Sequence, residues 1–585
     1  MSIMKIVYAG AQQDIRKKYL ASKDDFLLLL HDRWDDYSYK TLFPTLCRIS
    51  GEIVELGAVK ILFAGQMSSH SFLIEKRENG WNGEFPLEDA DYISVTETTT
   101  FYEQLLELLP KEGALKVAKK LRDASYLAHM AQDDKALALI DTEGFRCSLQ
   151  RERSLQNSFA EGWRVLDGQA LDVTDLSFTF RNPTGDLSTL RMNFASKSLL
   201  PHDVNVIIGP NGVGKSSLLR QMVTAWIQPG SGHAALKGAS FEPRPNLSQL
   251  VAIAYSPFER LPVDTDDEES LDSPLKDKDI YRFFGFRGRL PSQKTGRPTR
   301  IRNSLAVPKV NAARSLIQCL TDDLRYSNLK AWANKLRTLQ EVLGSGIDFD
   351  VAAVRLLPDT PSEELVADDT LDAIDLIKIE DTDSEGKKTT ACYVPIAPES
   401  SGINVSGLLR YADLEDGVSF FKDDVLLQLS SGQRLFFYIV VNILGVIRRN
   451  SLVIVDEPEL FLHPTLELQF VSMLKQILRT YGSKALLATH SVVTVREVPS
   501  SCVHVLEATE KGLAIKSPPF ETFGGDVQRI TSYVFGDRSV SKPHEAWLRE
   551  LLDKHDTADE VIEALGTELN EEMIIQLHAM ENGKW

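Results

Sequence analysis

Residues 209–216 read Gly-Pro-Asn-Gly-Val-Gly-Lys-Ser, a pattern built to hold phosphate. Gly209, Gly212 and Gly214 let the backbone curl until successive N–H groups point at phosphate oxygens. Pro210, Asn211, Val213 and Ser217 complete the cradle, Lys215 is placed to reach β- and γ-phosphates, and the Ser216 hydroxyl is placed to ligate Mg2+. Three more stations follow. Leu429-Ser430-Ser431-Gly432-Gln433 precedes an apolar run, so its hydroxyls and backbone sit at a helix N-terminus suited to phosphate. Ser451-Leu-Val-Ile-Val is a buried strand ending in Asp456 and Glu457. Asp456 would hold Mg2+, and Glu457 would orient and deprotonate an attacking water. Ala485–Ala488 leads into Thr489-His490-Ser491, and His490, 33 residues after Glu457, would reach a γ-phosphate. Glu459 reads only as the start of the next helix.

Each station needs an element to carry it. Val204–Ile208 reads as a strand delivering the loop, and a helix begins at Ser217, the context in which the pattern binds a nucleoside triphosphate. Further strands are expected at Val173–Phe180 and Leu190–Phe194, and helices at Arg434–Ile447 and Thr465–Leu478. The fold class is therefore α/β: a P-loop NTPase head with an α+β N-terminal domain and a large, mostly helical insertion. The expected divisions are 1–165 for the N-terminal domain, 166–260 and 405–536 for the two parts of the head, 261–404 for the insertion, and 537–585 for a helical tail. Strands at 4–9, 39–49, 52–56 and 58–64 and one long helix over 100–132 are expected in the first. His31–Tyr37 reads as a capped turn, with a binding loop as the alternative. Trp547, Leu548, Leu551 and Leu552, then Val561, Ile562 and Leu565, recur at helical spacing; that tail would pack on the head or dock a partner.

With 585 residues and 43% apolar content the chain has ample material for more than one core. Its net charge of −18 means that any nucleic-acid contact must come from a local basic patch. Residues 280–321 form such a patch, with nine Lys or Arg and no Asp or Glu. Arg287, Arg289, Lys294, Arg297, Arg300 and Arg302 are the candidate contacts to DNA, RNA or a partner protein. Acidic stretches at 264–269 and 359–385 could equally pair with it. Five scattered cysteines without a C-x-x-C pair suggest reduced thiols. The N-terminus lacks a signal-peptide pattern, and the longest apolar run, Leu435–Ile447, is too short to span a bilayer. A cytoplasmic protein with no membrane contact is expected.

The four stations together resemble the ABC-type ATPase head, in the branch that includes OLD, RecF and SMC-like proteins (AAA_21-type). Asp456-Glu-Pro-Glu-x-x-Leu-His-Pro464, Ala488-Thr-His-Ser491 and Thr522–Gly536 resemble the OLD-like group, including stand-alone anti-phage ATPases such as the PtuA-like proteins of Septu and those of certain retrons. The resemblance covers about 170–260 and 405–535. It implies ATP and Mg2+ as ligands, with the phosphate loop of one protomer facing Ser431 and Gly432 of another, hence a homodimer or higher even-numbered oligomer. It also implies a separately encoded effector, such as a nuclease, because only about 50 residues follow Gly536. One station departs from the family. After Val251–Ala254 the usual Gln is absent, which leaves Ser256 or Glu259 as substitutes or a metal coordinated without that residue. Two other readings stand beside the defence ATPase: a RecF- or SMC-like repair ATPase that clamps DNA, and an ATP-switched scaffold with negligible turnover.

Overall fold

The computed structural model describes residues 4–31, 39–54, 56–169, 175–195, 198–227, 238–242, 245, 247–263, 280–290, 301–325, 334–367, 374–382, 388–400, 402–510, 512–536, 543–555 and 557–582. The chain divides into two compact units, Met1–Gly524 and Gly525–Trp585.

At the centre of the larger unit is a seven-stranded sheet in the order Tyr281–Gly285, Gln249–Ala254, Ser451–Asp456, Lys484–Thr489, Val204–Ile208, Val503–Thr509 and Gly512–Lys516. All pairings are parallel except the last. Val204–Ile208, Gln249–Ala254 and Ser451–Asp456 are buried along their whole length, as strands covered on both faces must be. That is why they read as unbroken apolar runs. Asn205 is the polar interruption, and its amide is fully used: Oδ1 accepts from Asn193 N and lies 2.8 Å from His504 Nε2, while Nδ2 donates to Asn193 O.

Register does the functional positioning. Ile208 pairs with Thr489, Asp456 with Ala488, and Ala254 with Asp456. The residues that follow these strands therefore emerge at one edge, at the carboxyl ends of parallel strands where α/β sheets bind ligands. Helix Lys215–Ile227 follows the loop and buries Leu218, Leu219, Met222, Val223 and Trp226.

Among the described residues of 261–404, expected to be mostly helical, strands occur beside the helices. Tyr281–Gly285 joins the central sheet, and an antiparallel five-stranded sheet runs in the order Ile377–Thr382, Lys388–Ile396, Val351–Arg355, Ser419–Lys422 and Val425–Leu426. Among the described residues the α-helices of this stretch are Ala306–Arg325 and Lys335–Gly344. The first packs on helix Ser431–Val446, where Ser315 Oγ donates to Asn442 Oδ1 at 2.9 Å and Asn442 Nδ2 donates to Tyr255. The acidic run 264–269 lies outside the described residues.

Near the N-terminus, a second sheet runs in the order Glu84–Phe85, Lys5–Gly10, Phe26–Leu30, Leu42–Ile49, Ala58–Phe63 and Tyr92–Thr96, with Glu52–Val54 on Leu42–Ile49. The expected long helix over 100–132 is broken. Thr100–Leu108 ends before Pro110, which lacks an N–H and so starts a new helix instead of continuing one. Lys111–Leu121 then ends at Arg122 in the left-handed region, and Asp123 caps the next turn. Apolar spacing carries across both breaks, which is why the periodicity read as one helix. Of the His31–Tyr37 segment, only His31 is described.

The smaller unit holds helices Val527–Phe535, Pro543–Leu552, Ala558–Leu565 and Glu571–Glu581. Leu548, Ala558, Val561 and Leu577 close a core of its own. No described helix is long and apolar enough to cross a membrane.

Candidate functional site

The phosphate loop leaves its strand at Gly209, where a Cβ would sit 2.4 Å from the Leu506 carbonyl oxygen, so only glycine allows that approach. Gly212 and Gly214 take φ of 78° and 102°, the left-handed turns that curl the loop. Lys215 is buried, and its ammonium donates to Gly209 O (3.0 Å), Pro210 O (3.3 Å) and His490 Nε2 (2.7 Å). An ammonium has no acceptor, so Nε2 must accept and the imidazole proton rests on Nδ1. Burial and the Lys215 charge hold His490 below the ordinary histidine range, so it is neutral, and its 3.6 Å approach to Glu457 is not an ion pair. Burial also lowers Lys215, while Glu457, Asp456 and Glu459 pull the other way.

Asp456 lies at the end of its strand with its carboxyl pushed up to about 7, mainly by burial; a hydrogen bond from Ser216 opposes the shift. Its Oδ1 is buried and unpartnered. Glu457 sits at φ 51°, an uncommon conformation for a non-glycine residue that costs about 1–3 kcal/mol and collects at functional sites. Its backbone N donates to Ala488 O, fixing the carboxylate beside His490.

Two carboxylates that motif reading left idle hold the His490 turn. Glu459 accepts from the His490 backbone N, and Glu467 accepts from the Ser491 hydroxyl. Thr489 Oγ1 takes the Ser491 N–H at 2.8 Å. The signal was in the sequence, in the second Glu of Asp-Glu-Pro-Glu, but its role depends on a turn 31 residues downstream. His463-Pro464 also has a local reason: His463 caps helix Pro464–Thr480 and proline occupies its first position.

The 429–433 station opens helix Ser431–Val446. Ser430 Oγ accepts from Gln433 N and Gln433 Oε1 accepts from Ser430 N, a capping box that occupies both side chains. Ser431 is exposed at the first turn and Gly432 half-exposed, and neither takes part in the cap.

Neither proposed substitute for the missing Gln is idle. Glu259 accepts from Leu261 N and from Arg287 Nε, both at 2.7 Å, and Ser256 Oγ accepts from Phe258 N. Arg287 is thereby engaged inside the chain. Arg289 is half-buried, Arg302 is exposed on a short hairpin strand, and Lys294, Arg297 and Arg300 lie outside the described residues.

The residues present fit a Mg2+–nucleotide. The glycine cradle, the buried unpartnered Asp456 Oδ1 and the adjacent Ser216 hydroxyl suit a hard cation with phosphate oxygens. No cluster of three or more His, Cys, Asp or Glu suited to a metal occurs among the described residues, so phosphate and water would complete the shell.

The family model described as "AAA domain, putative AbiEii toxin, Type IV TA system" matches residues 204–496, half of the chain. Protein ea59 of Escherichia phage lambda is 26% identical over 521 residues, covering 86% of this chain and 85% of its own. Among solved structures, the SMC head domain from Thermotoga maritima covers 60% of this chain and 100% of its own, at 10% identity and a TM-score of 0.24.

Proposed function

The chain belongs to this AAA-domain family, and we propose that it is an ATP-binding and ATP-hydrolysing head that closes on a second copy of itself to control a separately encoded effector, such as a nuclease, in a prokaryotic anti-phage defence complex. The observation that carries the ATPase reading is the convergence of Lys215, Asp456, Glu457 and His490 at the ends of three adjacent parallel strands. Lys215 neutralises the β- and γ-phosphates once it leaves the loop carbonyls and His490. Ser216 and Asp456 would hold Mg2+, which supplies charge neutralisation between the phosphate oxygens when bound. Glu457 orients the attacking water and takes its proton. His490, held by Glu459, would donate toward the γ-phosphate as charge builds there, after Lys215 leaves Nε2 and the ring shifts to the tautomer with its proton on that nitrogen. Ser431 and Gly432, free of the capping box, present a helix N-terminus to the nucleotide of the opposing copy.

The defence role is supported by the family description, which names a toxin of a toxin–antitoxin system, and by a relative carried in a phage genome. Glu457→Gln tests the ATPase mechanism. Turnover should fall by a factor of about 10²–10⁴ while an ATP-bound dimer accumulates, read by light scattering. Wild-type turnover in that variant would sink the assignment of the base. For the defence role, cells carrying this gene and its neighbours are challenged with phage. Protection should be lost in Lys215→Ala, and an absence of protection with the wild-type gene set would refute it.

A further inference from the structure

Pro458 separates two glutamates that meet the same histidine from different sides. Glu457 takes the left-handed conformation, and its carboxylate comes to 3.6 Å from the His490 imidazole. Glu459, inside the short turn Pro458–Phe461, reaches instead to the backbone N–H of His490 and accepts its hydrogen bond. The turn is closed on itself, Leu460 N donating to Glu457 O and Leu462 N to Glu459 O. Asp456 and Ala488 are the last pair in the register of the two parallel strands, and Glu457 N donates to Ala488 O at 2.8 Å. Beyond that point the tie between the strand ends passes to a side chain, Glu459 on the His490 main chain. Burial pushes the Glu459 carboxyl up, and the His490 N–H opposes the shift.

We propose that Glu459 is a positioning residue for the hydrolytic pair: through the His490 main chain it sets where the imidazole stands relative to the Glu457 carboxylate. This rests on the ATPase reading, in which Glu457 acts on water and His490 on the γ-phosphate. An imidazole turns about two bonds only, so its reach to Lys215 at 2.7 Å and to Glu457 at 3.6 Å follows from where the His490 backbone sits. The residue after it is held separately: Glu467 accepts from the Ser491 hydroxyl and Thr489 Oγ1 from the Ser491 N–H. Loss of Glu459 therefore frees the His490 peptide while Glu467 and Thr489 still anchor the chain beside it, a local displacement. A displacement of about 1 Å in such a pair can cost about 10²-fold in rate. The phosphate loop keeps its own grip on the nucleotide, so the loss falls on kcat.

The test compares Glu459→Ala with Glu459→Gln, which keeps an oxygen able to accept from the His490 N–H. In steady-state ATP hydrolysis Glu459→Ala should lower kcat by about 10–100-fold and change KM by less than about threefold. Glu459→Gln should keep kcat within about threefold of wild type. A second measurement needs no turnover. In the nucleotide-free full chain with 15N-labelled histidine, the His490 imidazole, assigned by its loss in His490→Ala, reports a protonated Nδ1 and an Nε2 that accepts from Lys215. Glu459→Ala should shift both nitrogen signals, and Glu459→Gln should leave them in place. An unchanged His490 spectrum in Glu459→Ala would overturn the proposal, as would wild-type kcat in that variant or an equal loss in both. A wild-type chain without turnover would sink the ATPase reading by itself, and the spectrum would still decide whether Glu459 places His490.

Discussion

Asp456→Asn should make the nucleotide-free protein more stable, and the gain should depend on pH. In the folded chain the Asp456 carboxyl is pushed up to about 7, against 3.8 for an unperturbed aspartate. The folded state therefore holds this proton more tightly than the unfolded state does. Below about pH 4 both states are protonated and there is no penalty. As pH rises the unfolded chain ionises first, so folding loses stability until the folded group also titrates near 7. At about 1.36 kcal/mol per pK unit, the penalty is about 1.5 kcal/mol at pH 5 and about 4 kcal/mol at pH 8. Asparagine keeps the shape and cannot ionise, so it recovers that difference, less whatever its amide lacks in partners. For a unit of this size the gain at pH 8 corresponds to about 2–4 °C in Tm. Differential scanning calorimetry of both proteins at pH 5 and pH 8, without nucleotide or Mg2+, measures it. A variant no more stable than wild type at pH 8, or one stabilised equally at both pH values, would refute the reasoning.

His490→Ala removes the acceptor that holds Lys215 in the resting site. Affinity for a non-hydrolysable ATP analogue should stay level or rise by up to about tenfold, since a hydrogen bond to a charged group worth about 1.5–3 kcal/mol no longer competes, while turnover falls at least tenfold. Affinity weakened tenfold in calorimetric titration would show instead that His490 mainly binds the ground state. Arg287→Ala should cost about 3 kcal/mol in chemical denaturation, because it strands the buried Glu259 carboxylate, whereas Arg302→Ala on the surface should cost less than about 0.5 kcal/mol. Equal effects would mean that Arg287 does not serve the fold.

What the sequence made legible were strand ends. Val204–Ile208, Ser451–Asp456 and Lys484–Thr489 are short apolar runs that terminate in polar, chemistry-bearing residues, and burial on both faces imposes that pattern directly. The strands of the central sheet on either side of 261–404 were legible for the same reason, apart from Tyr281–Gly285, which joins that sheet from inside a segment dominated by its basic residues. Val351–Arg355 was missed because its partners lie at 388–396 and 419–422, and a pairing between distant segments leaves no local trace. Phe26–Leu30 is an apolar run too short to tell from a helical segment by periodicity alone. The basic segment misled in part: charge density over 280–321 is a property of the sequence, but whether Arg287 meets solvent depends on Glu259, 28 residues earlier.

The resting site limits its own charge. Lys215 is occupied by loop carbonyls and a neutral His490, Asp456 sits near its midpoint at neutral pH, and burial also raises Glu459. Each group is thus held away from the ionisation and geometry that phosphoryl transfer needs, at the end of a sheet whose interior cannot solvate charge. In the proposed mechanism Ser216 and Asp456 would hold Mg2+, whose charge would favour ionised Asp456, and Lys215 would exchange His490 for phosphate oxygens. His490 Nε2 would then lose its donor, leaving the imidazole beside Glu457. On that reading the hydrogen bond between Lys215 and His490, 275 residues apart, is the contact that nucleotide binding would have to replace.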